Sequence, residues 1–147
     1  MQERLFETKL TKEQRKAAGK HLKEYFTLPS RIESKRAMAE MAATKMTPGY
    51  NPSEVQTHQA PSSKVERYAL TMSEVEMLLK RYTILCRIHE SLIDDQQRLL
   101  WELLYDPKYF RSDDAVMHEM RISSTRTYYG IKNKLLGIVH DHFGDGY

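Results

Sequence analysis

Cysteine is almost missing from this chain: Cys86 is the only one in 147 residues. One thiol cannot close an intramolecular disulfide, and it cannot supply the repeated ligands of a cysteine-based zinc framework. Long apolar runs are missing too. No stretch of about 18 apolar residues occurs, so no membrane span is expected. Met1 to Leu10 alternates charged and apolar residues and lacks the apolar centre of a secretory signal. The expected location is therefore the cytoplasm. The elements of catalysis are just as scarce. There is no glycine-rich phosphate loop and no nucleophile with a matched base. His118-Glu119 has Ile122 where a zinc-protease signature needs its second histidine. His140 and His142 flank Asp141 at positions that do not share a helix face. Asp94-Asp95 and Asp113-Asp114 are paired carboxylates, but both pairs stand at expected helix starts, where capping accounts for them. The expectation is a protein that is not an enzyme, with no cofactor and no metal.

What remains is an ordinary globular composition. Hydrophobic residues make up 40% and charged residues 29%, which excludes wholesale disorder. The length suits one domain with a real core, or a small domain with appended helices. The net charge of +3 is mild but unevenly spread. Met1 to Met46 holds 11 Lys/Arg against 6 Asp/Glu, Thr47 to Ile93 holds 5 against 5, and Asp94 to Tyr147 holds 7 against 9. Inside that last, acidic third, Met120 to His140 carries Arg121, Arg126, Lys132 and Lys134 with no acid. A local patch of this kind suits one element lying against phosphates; the plain alternative is a solvated surface helix.

Helical signals dominate, and strand-like alternation is rare. Four N-cap signatures stand out: Thr11 with Gln14, Ser30 with Glu33 after Pro29, Ser63 with Glu66 after Pro61, and Ser112 before Asp113 and Asp114. They predict a first helix from about Thr11 to Tyr25 and a second from about Ser30 to Met46. The second carries a stripe of Ala37, Met38, Met41, Ala42 and Met46, read as core or as a seam for a partner helix. Thr47 to Ser62, with Pro48, Gly49, Pro52 and Pro61, reads as a linker. A long helix from about Ser63 to Ser91 follows, with Val75, Leu78, Leu79, Tyr82, Leu85, Ile88 and Leu92 on one stripe. That stripe could pack on the helices that follow or pair with a second copy. Cys86, close to it, reads as a small buried hydrophobe. Next come a helix from about Asp94 to Tyr105, with Leu99, Leu100, Leu103 and Leu104 inside and Trp101 at an edge, and a short helix from Ser112 to Met120. After a tight connection at Arg121 to Ser124, a final helix runs to about His142. The fold class is all-α. The expected domains are an N-terminal helical region (1–46), a Pro-rich linker (47–62) and a C-terminal domain (63–147).

The last helices have the order of a helix-turn-helix, in which a short brace crosses the backbone and a second helix enters the major groove. Ala115, Val116 and Met120, with Ile122 in the turn, can meet Tyr128, Ile131 and Leu135. Ser123 or Ser124 can cap the final helix. Its opposite face offers donors and cations: Ser123, Ser124, Thr125, Arg126, Thr127, Tyr129, Lys132, Asn133 and Lys134, with Arg121 in the turn. Arg126, Thr127 and Tyr129 are placed for base edges, and Arg121, Lys132 and Lys134 for phosphates.

The stretch Asp95 to Leu136, with Arg98-Leu99-Leu100, Tyr105-Asp106, Met120-Arg121-Ile122-Ser123 and Thr127-Tyr128-Tyr129-Gly130-Ile131-Lys132, resembles the C-terminal domain of the ArpU and RinA families. The Pro-rich linker and Ser63 to Tyr68 look like the middle of the same families, so the resemblance extends over about Thr47 to Phe143. These are phage and prophage late-gene regulators of Gram-positive bacteria, and their C-terminal domain is similar to the fourth region of sigma factors. Arg121 departs from the pattern, which usually has a small residue there. The resemblance implies a transcriptional activator of packaging, structural or lysis genes that binds double-stranded DNA, with RNA polymerase as a candidate partner. Paired half-sites make a homo-oligomer the expected form. Two other classes stay open: a DNA-packaging protein such as a small terminase subunit, and a helical protein-binding adaptor.

Overall fold

The structure is a computed structural model that describes residues 10–45, 61–109 and 111–144. The described residues are all-helical: α1 (Lys12–Lys45), α2 (Pro61–Ser91), α3 (Asp95–Tyr105), α4 (Asp113–Glu119) and α5 (Thr125–Phe143). Most of the expected linker lies outside the described residues. Its end differs from expectation, because Pro61 and Ser62 already belong to α2. Proline suits a first turn, where its missing N–H would have no partner anyway.

The start of α1 is a reciprocal cap. The Thr11 N–H donates to Gln14 Oε1 at 2.9 Å, and the Gln14 N–H donates to Thr11 Oγ1 at 3.1 Å. Its middle corrects the sequence reading. Two helices separated near Pro29 were expected; one continuous helix runs through it, and Ser30 caps nothing. An interior proline costs roughly 3 kcal/mol. On either side of it Leu28 (0% exposed) and Ile32 (5%) are buried, which stabilises by about 3–6 kcal/mol together. Pro29 itself is exposed, so its ring displaces no core side chain. Burial outweighs the break.

By its contacts the chain divides into two units, Met1–Thr27 with Thr83–Tyr147, and Leu28–Tyr82. The boundaries fall inside α1 and α2, not in the expected linker, and the first part of α1 groups with the C-terminal helices. In the Leu28–Tyr82 unit, Leu28, Ile32, Ala39, Val75 and Leu78 are buried. Lys35 Nζ meets Glu74 Oε2 at 2.7 Å across the two helices. The methionine stripe is not core here: Met38 and Met41 are exposed.

In the other unit the core is formed by Ala18 and Leu22 of α1, Leu85 and Ile88 of α2, Leu100 and Trp101 of α3, Val116 and Met117 of α4, and six residues of α5 ending at Phe143. Trp101 is not at an edge. It is fully buried, and its indole N–H donates to the Leu22 carbonyl at 2.8 Å. Tyr25, His89 and Trp101 pack ring on ring, with centroids 4.9–5.0 Å apart. His21 stacks on Phe143 at 4.0 Å. The stripe offered as a dimer seam is used inside the chain, since Val75, Leu78, Leu85, Ile88 and Leu92 are all buried. On α3 the inner face turns out to be Gln97, Leu100 and Trp101, with Leu99 exposed. Cys86 is half-buried.

The corner between α2 and α3 is tied by Arg98. Its guanidinium donates to the Leu92 carbonyl at 2.6 Å and the His89 carbonyl at 3.4 Å, and meets Asp95 Oδ1 at 3.0 Å. A cation on the last carbonyls of a helix satisfies orphan acceptors and opposes the helix dipole. Asp94 caps α3 by accepting from the Gln96 N–H at 2.9 Å.

Candidate nucleic-acid interface

The site begins with a helix stop. The Arg121 N–H donates to the His118 carbonyl at 3.1 Å, and the Ile122 N–H donates to the Met117 carbonyl at 3.0 Å. This is the double bond of a Schellman motif, which places Arg121 at the position where glycine is usual. Arg121 has φ 60°, and no other described non-glycine residue has positive φ. A side chain in left-handed backbone costs about 1–2 kcal/mol. Strain of this kind gathers at functional positions.

The chain re-enters a helix three residues later. Ser124 Oγ accepts from the Thr127 N–H at 3.3 Å and the Ser124 carbonyl receives the Tyr128 N–H at 3.1 Å. The cap is therefore Ser124, not Ser123. The first helical residues are Thr125, Arg126 and Thr127, all exposed.

From there α5 is two-faced. Successive residues turn by about 100°. Tyr128, Ile131, Leu135, Leu136, Val139 and Phe143 are buried, while Arg126, Thr127, Gly130, Asn133 and Lys134 stand on the exposed side. A Cβ added at Gly130 would meet nothing within 4 Å, so no packing inside the chain calls for glycine there. On α4 the buried pair is Val116 and Met117. This corrects the expected brace residues, since Ala115 is exposed and Met120 and Ile122 are half-buried.

Asp113 fastens α4 to α5. Its carboxylate accepts from the Tyr128 hydroxyl at 2.6 Å, from Lys132 Nζ at 3.0 and 3.2 Å, and from the Tyr129 hydroxyl at 3.5 Å. Partial burial pushes this carboxyl up, but the hydrogen bonds from Tyr128 and Lys132 and the Lys132 charge outweigh it, so its pKa lies below the ordinary value. Burial, then the bond to Asp113, pushes the Tyr128 phenol far up. Burial does the same for Tyr105. The role of Asp113 was not anticipated: as the first residue of α4 it reads as dipole compensation, and its partners stand 15 and 19 residues away.

Of the ten candidate residues, Arg121, Ser123, Ser124, Thr125, Arg126, Thr127, Asn133 and Lys134 are exposed around the turn and the outer face of α5. Lys132 differs. It is half-buried with its charge on Asp113. Tyr129 is 42% exposed, and its ring lies 5.6 Å from Lys132 Nζ. These two brace α5 on α4. A further cation nearby in sequence, Arg111, covers the Tyr109 ring at 4.7 Å and pairs with Glu119 at 3.0 Å.

Comparison with protein-family models, with curated proteins and with solved structures finds no match to this chain. Among the described residues no three His, Cys, Asp or Glu side chains gather as a metal-ion site, and no helix is long and apolar enough to cross a membrane. The arrangement offers its own chemistry: a capped helix start, short hydroxyl donors, the exposed guanidinium groups of Arg121 and Arg126, and an outer face of α5 without an acid from Thr125 to His140.

Proposed function

We propose that the protein is a sequence-specific DNA-binding transcriptional regulator in which α4, the Arg121 turn and α5 act as a helix-turn-helix. The observation that carries this reading is the outer face of α5. It is acid-free, begins with Ser124-Thr125-Arg126-Thr127, and projects from a helix anchored by Tyr128, Ile131 and Leu135. In the major groove, Arg126 and Thr127 would read base edges, with Asn133 about two turns further along. Arg121, Lys134 and the free N–H groups at the start of α5 would meet phosphates. Lys132 and Tyr129 serve as braces of α5 on α4 through Asp113. Activation of phage or prophage late genes in a bacterial cytoplasm, and contact with RNA polymerase, rest on the ArpU- and RinA-like motifs. Binding to paired half-sites would use a homo-oligomer.

The test is selection of a preferred duplex from a random pool, followed by affinity measurement at fixed salt. Arg126→Ala should cost about 1–3 kcal/mol if it is bidentate to a base. Unchanged affinity for the selected duplex would sink the assignment.

One observation favours a second reading, a DNA-packaging protein such as a small terminase subunit. Met38, Met41, Leu70 and Met77 are all about 60% exposed in the Leu28–Tyr82 unit, which suits contact with other protein. A ring of eight or more copies in solution would decide for it, and a response at a late promoter for the regulator.

A further inference from the structure

The first half of α1 has two chemically opposed faces. Ala18, His21, Leu22 and Glu24 are buried, and they sit in the same unit as α5. The Leu22 carbonyl receives the Trp101 indole, His21 stacks on Phe143, and the Tyr105 ring lies 3.4 Å from where a Cβ on Gly19 would be. The other face carries Lys12, Arg15, Lys16, Lys20 and Lys23, all exposed. At about 100° per residue, the four lysines fall within roughly 80° of one another, with Arg15 at their edge. Glu13 is the one exposed acid between Lys12 and Lys23, since Glu24 is buried against His21 at 3.0 Å. Among the described residues, none of the five cations enters an ion pair.

Like charges three and four residues apart destabilise a helix. This row is therefore held in place by the buried face and repelled by itself, and an external polyanion would relieve that repulsion. We propose that Lys12, Lys16, Lys20 and Lys23, with Arg15, form a second contact surface for duplex DNA that binds phosphate backbone without reading sequence. The proposal rests on the reading of the chain as a DNA-binding protein. The row rises about 16 Å from Lys12 to Lys23, the axial span of about five base pairs. It carries none of the aromatic or aliphatic anchors that make protein interfaces tight. An interfacial membrane helix must submerge its apolar face, and that face of α1 is already occupied. Lysine, a flexible point charge, suits a regular row of phosphates better than a single shaped ligand.

The experiment compares the full chain with a Lys12→Gln/Lys16→Gln/Lys20→Gln/Lys23→Gln variant and with the matching four-arginine variant. Affinity is measured against salt for the selected duplex and a scrambled one. All four positions are exposed and glutamine is a good helix former, so circular dichroism should show the glutamine variant folded. Each lost phosphate contact reduces the slope of log affinity against log salt by about 0.9. The glutamine variant should flatten the slope by about 3–4 on both duplexes, which is roughly a hundredfold smaller loss of affinity between 50 and 200 mM salt. The arginine variant should keep the steep slope. An unchanged slope in the glutamine variant would overturn the proposal and leave the α5 reading standing. If Arg126→Ala leaves discrimination between the duplexes intact while the glutamine variant flattens the slope, the α5 reading fails and the lysine surface stands. Failure of the wild-type chain to bind either duplex at low salt overturns both. Tighter lysine-dependent binding to vesicles of equal parts phosphatidylserine and phosphatidylcholine than to duplex would assign the row to a membrane surface instead.

Discussion

Arg121→Gly should make the protein more stable and a weaker DNA binder. At φ 60° an L-residue pays about 1–2 kcal/mol, and glycine pays none of this. Glycine also loosens the unfolded chain, which takes back about 0.4–1 kcal/mol. The net gain should be about 0.5–1 kcal/mol, because the bonds of Arg121 to His118 and Ile122 to Met117 are backbone bonds that glycine preserves. For a chain of this length that is a rise in Tm of about 1–4 °C. Urea melts followed by circular dichroism would report it as a shifted midpoint with an unchanged slope. Arg121→Ala is the control: it removes the same cation but keeps the strained backbone, so it should not stabilise. Both variants should reduce the salt slope of DNA binding by about one. A glycine variant no more stable than the alanine variant would refute the strain argument. Salt slopes equal to wild type in both would remove Arg121 from the interface. A stabilising substitution that weakens binding is what a cation kept for function at a glycine position predicts.

Four further outcomes follow from the packing. Asp113→Ala should destabilise by about 1–3 kcal/mol, because it leaves the buried Tyr128 hydroxyl without its acceptor; denaturant melts at neutral pH measure this. The Asp113 carboxyl is held below its ordinary value of 3.8 when folded, so its stabilisation is complete above that pH and lost as pH falls through the folded value. Wild type should therefore lose more stability than Asp113→Asn between pH 5 and about 3, and parallel curves would contradict the carboxylate's role. Trp101→Phe keeps a ring but removes the donor to Leu22 and some volume. It should cost about 1–3 kcal/mol, and hydrogen exchange should rise in the first half of α1 if that bond secures it. Gly130→Ala should add up to about 1 kcal/mol of stability, since the new methyl group meets nothing. It should also lower affinity for the selected duplex if that face enters a groove; equal affinity would put Gly130 outside the contact.

Local chemistry was readable in the sequence where a cap depends on neighbours. Thr11 with Gln14, Ser112 with Ala115 and Ser124 with Thr127 all form bonds across three residues. The apolar period of α5 likewise revealed Tyr128, Ile131 and Leu135 as its inner face. What failed to show depends on distant partners. Pro29 and Ser30 together look like a boundary, but the burial of Leu28 and Ile32 carries the helix across. Trp101 reaches a carbonyl 79 residues away, and that bond helps attach the start of α1 to the C-terminal helices. Lys132 looks like a free cation until Asp113 is placed beside it. Composition alone leaves Ser123 and Ser124 equal as caps; the bond from the Thr127 N–H to Ser124 Oγ identifies Ser124.

The most direct test of the central claim is genome-wide footprinting of the tagged full-length protein in a host that carries it, run beside Arg126→Ala. The account predicts one or a few discrete peaks upstream of a phage operon that disappear in the variant while the protein remains folded. Uniform signal along the genome, or peaks that survive Arg126→Ala unchanged, would contradict sequence reading by α5.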